Sequence, residues 1–107
     1  MDLVTFSAPD GLTVSGDLYL TRDKAAPFVL LFHQAGYSRA EYREIAPKLN
    51  RLGYNCLAVD QRSGRSFQGV ANETNKAAKE KKLATGYADA YFDLIGAMDY
   101  VKERFTP

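Results

Sequence analysis

Two short apolar runs, residues 28–32 and 54–59, constrain this chain more than any other feature. The first is uninterrupted and the second is broken only by Asn55, and such runs belong to strands covered on both faces, as in a parallel sheet. Between them Tyr42, Ile45, Ala46, Leu49 and Leu52 recur at helical spacing and predict a helix over 40–52, kinked at Pro47 and terminated by Gly53. Strand, helix and strand at this spacing form a βαβ unit with a right-handed crossover. Upstream, residues 3–7 and 12–20 alternate apolar and polar around the turn residues Pro9, Asp10 and Gly11, which reads as a half-exposed antiparallel hairpin. The expected architecture is α/β: an antiparallel hairpin followed by a βαβ unit and a helix.

That last helix is expected over 87–105, with Tyr91, Leu94, Ile95, Met98, Val101 and Phe105 as its apolar stripe. Residues 67–86 form a polar insertion or flap, with a short helix starting near Asn72 and running to Lys82. Its lysines, Lys76, Lys79, Lys81 and Lys82, read as a solvated face rather than a contact for an anionic partner. A βαβ unit followed by a helix ordinarily delivers another parallel strand beside the first. None follows here, so strand 28–32 is expected to carry a bare edge, which proteins usually avoid.

The 107 residues suit a single domain, and 14 Lys+Arg against 13 Asp+Glu lack the basic excess of a nucleic-acid binder. One cysteine, Cys56, and one histidine, His33, leave no disulfide framework and no Cys/His zinc site. No Gly-x-Gly-x-x-Gly follows residue 32 and no Gly-x-x-x-x-Gly-Lys occurs, so nucleotide-binding loops are not expected. The start has no basic-then-apolar leader, and no run is long enough to cross a bilayer. A soluble, cytoplasmic chain without a cofactor is the expectation.

Three features of the order resemble the N-terminal half of an α/β-hydrolase, closest to the dienelactone-hydrolase and monoacylglycerol-lipase-like serine hydrolases. The hairpin leads into strand 28–32, which ends in His33, Gln34, Ala35 and Gly36. The following helix passes through Gly53 and Tyr54 into a strand ending at Asp60. Residues 60–66, Asp-Gln-Arg-Ser-Gly-Arg-Ser, are similar to the family's Asp-x-Arg-Gly-x-Gly-x-Ser loop. The helix over 87–105 resembles the one before the nucleophile strand, so the likeness covers most of the chain. Gln34 stands where the family carries glycine, and Ser63 and Arg65 stand at small or glycine positions.

The resemblance implies acyl transfer by a Ser–His–acid triad with an oxyanion hole. Carried over, the backbone N–H of Ala35 is an oxyanion donor, a role worth about 3–4 kcal/mol of barrier. His33, Gln34, Gly36, Asp60 and Arg62 would support its loop, with His33 bonding loop backbone and Asp60 and Arg62 orienting the segment after them by charge-assisted hydrogen bonds. The family's elbow serine, triad acid and triad histidine come later and have no counterpart here. The one local elbow-like match, Gly36-Tyr37-Ser38-Arg39-Ala40, offers Ser38 as a nucleophile, but it falls at the oxyanion position and more simply caps a helix. A proton-transfer role for His33 and a nucleophilic role for Cys56 are the less favoured readings. Tyr37 and Tyr42 read as packing residues before acyl-pocket walls.

The leading expectation is therefore an N-terminal fragment of a serine hydrolase of carboxylic esters or related acyl bonds, inactive alone. Its partners would be a small acyl substrate in the complete enzyme, with no nucleic acid and no membrane. The alternatives are a short non-catalytic protein that forms a homodimer along the bare strand edge, and one chain of a split hydrolase completed by a separate C-terminal half.

Overall fold

The computed structural model describes residues 1–23 and 25–105. Strands β1 (Asp2–Ser7), β2 (Thr13–Tyr19), β3 (Phe28–Phe32) and β4 (Asn55–Val59) and helices α1 (Ile45–Arg51), α2 (Glu73–Glu80) and α3 (Tyr91–Phe105) give an α/β domain. Among the described residues the strands form one mixed sheet in the order β1-β2-β4-β3. β1 and β2 are the antiparallel hairpin, in register from Asp2 opposite Leu18 to Ser7 opposite Thr13. β4 pairs antiparallel with β2 and parallel with β3, so it is central and every one of its residues is buried. β3 pairs with β4 alone among the described residues and is only half-buried along its whole length. The edge expected from the sequence is there.

The helix predicted over 40–52 is divided. A 3-10 turn, Arg39–Tyr42, comes first, and α1 begins only at Ile45. Proline explains the break. A continuous helix would need a Pro47 N–H to bond the Arg43 carbonyl, whereas in the first turn of α1 no such donor is required. The shorter helix leaves Ile45 and Leu52 exposed and buries Ala46 against Tyr19, Cys56 and Ala58.

The larger core, on the other side of the sheet, gathers Leu12, Val14, Leu18, Leu57 and Val59 under Ala78 of α2 and Ala97 and Val101 of α3. The stripe expected on α3 is corrected here. The helix presents Asp93, Gly96, Ala97 and Val101 inward, while Tyr91 and Met98 are 63% and 51% exposed. Small residues decide the rotation, because α3 lies so close to the end of β1 that only glycine and alanine fit. A Cβ on Gly96 would lie 2.8 Å from the Ser7 carbonyl oxygen and 3.1 Å from Ala8 Cα. At its far end α3 places Phe105 on Phe28, ring centroids 4.7 Å apart, beside the start of β3.

The Gly96 contact is testable. Gly96→Ala is expected to lower stability by about 1–3 kcal/mol by forcing α3 off β1, although alanine is the better helix former. Denaturant unfolding checks it, and an unchanged or raised midpoint would contradict so close an approach.

Candidate functional site

Three loops meet at the carboxyl ends of β3 and β4, where ligands gather in open α/β sheets. They are residues 33–38, 60–66 and 71–72, and buried polar groups hold them together. Asp60, the residue after β4, is fully buried. Its Oδ1 accepts from the Arg39 backbone N–H at 2.7 Å, and its Oδ2 from Arg39 Nη1 at 2.7 Å and the Glu73 N–H at 2.9 Å. Arg39 also donates from Nε to Asp17 Oδ1, 2.9 Å, in the middle of β2. Burial raises the Asp60 pKa, against the pull of the Arg39 and Glu73 N–H groups and the Arg39 charge. Burial also works against the Arg39 charge, but Asp60 and Asp17 outweigh it and its pKa rises.

Arg62 makes the second cluster. Its guanidinium bonds Asp10 at 2.7 and 3.0 Å and Asp93 of α3 at 2.8 Å, and its backbone N–H donates to Asp93 Oδ2 at 2.8 Å. Asp60 and Arg62 thus do not pair with each other; each anchors the loop to a different part of the chain. Burial raises the Asp93 pKa, whereas the hydrogen bonds from Arg62 hold Asp10 below its ordinary value.

His33 is buried between the loops. Nε2 accepts from the Gln61 N–H at 2.8 Å, which leaves Nδ1 as the donor to the Gln34 carbonyl at 2.9 Å. With both ring nitrogens committed to backbone, the imidazole has no free nitrogen for Ser38. Ser38 itself is fully buried, and its Oγ accepts from the Ala40 N–H at 3.3 Å as the cap of the 3-10 turn. Asn72 bridges all three loops, donating to the Gln61 carbonyl at 2.8 Å and the Tyr37 carbonyl at 3.2 Å while capping α2 through the Asn75 N–H. Gly64 lies where the loops close. A Cβ there would overlap the Tyr37 carbonyl oxygen, Asn72 Nδ2 and His33.

Ala35 and Gln34 are exposed at the top of this frame, and Gly36 turns the chain with φ +82°. The Gln34 N–H is taken by Glu41 Oε1 at 2.9 Å, whereas the Ala35 N–H has no hydrogen-bond partner among the described residues. Tyr37 stacks on Phe67 with centroids 3.9 Å apart, and the Tyr42 hydroxyl donates to the Phe32 carbonyl at 2.7 Å. Cys56 is sealed in β4, where burial pushes its thiol pKa up. Residues 67–86, the expected insertion or flap, include α2, which buries Thr74, Asn75 and Ala78 and leaves its lysines exposed. Thr74 Oγ1 accepts from the Ser15 N–H at 3.0 Å, tying α2 to β2.

Arg39, Asp17, Asp10, Asp93 and Asn72 were not legible as site-shaping residues in the sequence. The available signal was a charge inside an otherwise apolar stretch, or a polar residue at a turn or cap position. Among the described residues no His/Cys/Asp/Glu group is arranged to hold a metal ion, and no helix is long and apolar enough to cross a membrane. No protein-family model and no curated protein matches this chain.

Removing Arg62 should expose the cost of the buried charge. Arg62→Met is expected to destabilise the fold by about 3–5 kcal/mol at neutral pH, because Asp93 is left buried without a counter-charge. A carboxyl whose folded pKa lies above its unfolded value destabilises above that folded pKa, and the penalty fades as pH falls through it. Asp10 adds nothing to the difference in this range, since the stability it gives the parent is fully present above its unfolded pKa and is lost only on acidification below it. The gap between variant and parent in urea melts should therefore be larger at pH 7 than at about pH 5. A gap that widens on acidification would contradict this.

Proposed function

We propose that this chain is the oxyanion-loop portion of an α/β-hydrolase-like enzyme that cleaves carboxylic esters or related acyl bonds. The observation that carries the reading is the unpartnered, exposed Ala35 N–H on a loop fixed from below by His33, Asn72 and Asp60. A donor held still before the reaction can stabilise a developing oxyanion without reorganising, worth about 3 kcal/mol in related sites. The committed nitrogens of His33 and the sealed hydroxyl of Ser38 argue that nucleophile and base come from polypeptide outside these residues. Strand β3 supports the same reading: its free edge, with α3 ending beside its start at Phe28, is set to receive a parallel strand.

A fluorophosphonate probe tests this directly. The isolated 107-residue chain should take up no stoichiometric label, at Ser38 or elsewhere. The protein recovered from its host should either carry the label on a serine outside this sequence or co-purify with the chain that does. Labelled Ser38, or an unlabelled protein of this mass without a partner chain, would overturn the proposal.

A second reading rests on the same edge. Every residue of β3 is apolar and half-buried, and two copies could join there about a two-fold axis. Sedimentation at rising concentration should then show a dimer that Leu30→Pro abolishes, whereas a chain that stays monomeric would rule it out.

A further inference from the structure

A recess of about 270 Å³ opens beside the loop cluster, between the end of loop 60–66 and the first two turns of α2. Three cations line it, Arg65 from the loop and Lys76 and Lys79 from the helix, together with Ser66, Asn72 and Asn75. Taken alone, the two lysines are a solvated helix face. The fold adds Arg65, brought to the same hollow from a different element and fixed at its backbone, where its N–H donates to the Tyr37 carbonyl at 2.9 Å. Like charges gathered in this way repel, and the chain as a whole carries a formal charge of only +1. Yet among the described residues Arg65 and Lys79 have no acidic partner, and Lys76 meets Glu73 at 3.8 Å.

Asn75 supplies an independent sign. It is only 8% exposed, and its Nδ2 donates to the Arg62 carbonyl at 2.7 Å, so the oxygen is the end of the amide left for the recess. That Oδ1 has no hydrogen-bond partner among the described residues and is not sealed from solvent. Asn72 beside it is fully engaged with the Gln61 and Tyr37 carbonyls and the Asn75 N–H, which makes it a fixed wall. The recess therefore sets two requirements at once. Its cations attract an anion, whereas the amide oxygen repels a bare anion and accepts from a hydroxyl. We infer that this recess binds a phosphate monoester of a small polyol, with the phosphoryl group on Arg65, Lys76 and Lys79 and a nearby hydroxyl donating to Asn75 Oδ1. A phosphoryl group close to two negative charges matches three cations, one of them shared with Glu73. The guanidinium fork suits two phosphoryl oxygens, and the exposed Ser66 hydroxyl offers a neutral donor at the rim. The volume is just below the range of drug-sized pockets, which suits a molecule of that size.

Glycerol 3-phosphate and propyl phosphate make a matched pair of probes, alike in charge and chain length and differing in the hydroxyls. Titrations of the isotopically labelled 107-residue chain, followed by amide NMR, should give saturable shifts at residues 65–66 and 72–79. Glycerol 3-phosphate should bind about fivefold more tightly than propyl phosphate, the worth of one added hydrogen bond. Arg65→Ala and Lys79→Ala should each weaken both probes about tenfold. Both side chains are exposed and unpaired among the described residues, so neither variant should lower the unfolding midpoint. Arg65→Lys should recover part of the loss. Asn75→Ala should erase the preference for glycerol 3-phosphate while propyl phosphate still binds. If that variant fails to fold, having lost its bond to the Arg62 carbonyl, the preference in the parent chain decides the point. Shifts that do not saturate or fall on other residues, equal affinity for the two probes in the parent, or affinities untouched by Arg65→Ala and Lys79→Ala would overturn the inference. The experiment involves no turnover, so its outcome is independent of the hydrolase reading.

Discussion

Arg39 is the cation on which the top of this sheet depends. One guanidinium joins Asp17 in the interior of β2 to Asp60 at the end of β4, and its own backbone N–H binds the same Asp60 carboxylate. Asp60 in turn holds the first N–H of α2. The loop after β3, the loop after β4 and the start of α2 therefore share one ionised group and cannot move independently. Burying such charges costs several kcal/mol per ion before the pairing offsets it, so the cluster is a poor source of net stability. What it supplies is definition. A side chain with five fixed donors meets two carboxylates in one geometry, and the segments that carry those groups are held together.

The second cluster works by the same chemistry over a longer reach. Arg62 connects the β1–β2 turn at Asp10, the loop after β4 and the first turn of α3 at Asp93. Residues from the start and the end of the chain thus meet at a single guanidinium. Asp93 faces inward to reach it, on the side of α3 where Gly96 and Ala97 lie on the sheet, while Tyr91 and Met98 point away. The electrostatic contact and the close approach at Gly96 select the same buried face. The other face, together with the edge of β3, remains as uncovered apolar surface of the kind that marks contact sites.

The sequence was most informative where periodicity is strong. The hairpin turn at Asp10 and Gly11, the buried run of β4 and the helix beginning near Asn72 all follow from local pattern, whereas β3, read as covered on both faces, is only half-buried because no strand covers its outer edge among the described residues. It was least informative where long-range partners decide. Apolar spacing alone favours Tyr91, Leu94 and Met98 as the buried stripe of α3, and nothing local reveals that Asp93 is bound by a residue thirty-one positions earlier. Pro47 was legible as a disturbance, but a kink and a late helix start look the same in sequence. Around the candidate site, His33 and Asp60 were visible as residues ending strands. The roles of Arg39 and Asn72 were not, because a cation in a helix start and an amide at a cap ordinarily face water.

The placement of Cys56 has a use of its own. The thiol sits in β4, the strand bonded on both sides, opposite Tyr19 of β2 and Val29 of β3, with no surface exposed. Burial raises its pKa, so even the small thiolate fraction of an ordinary cysteine is suppressed in the folded chain. An alkylating reagent can reach the sulfur only when the groups packed over that face of the sheet, Ala46 and Leu49 of α1 and Tyr42 before it, lift away. The single cysteine is thereby a built-in clock, whose modification rate reads how often this cover leaves the sheet while the rest of the surface stays silent.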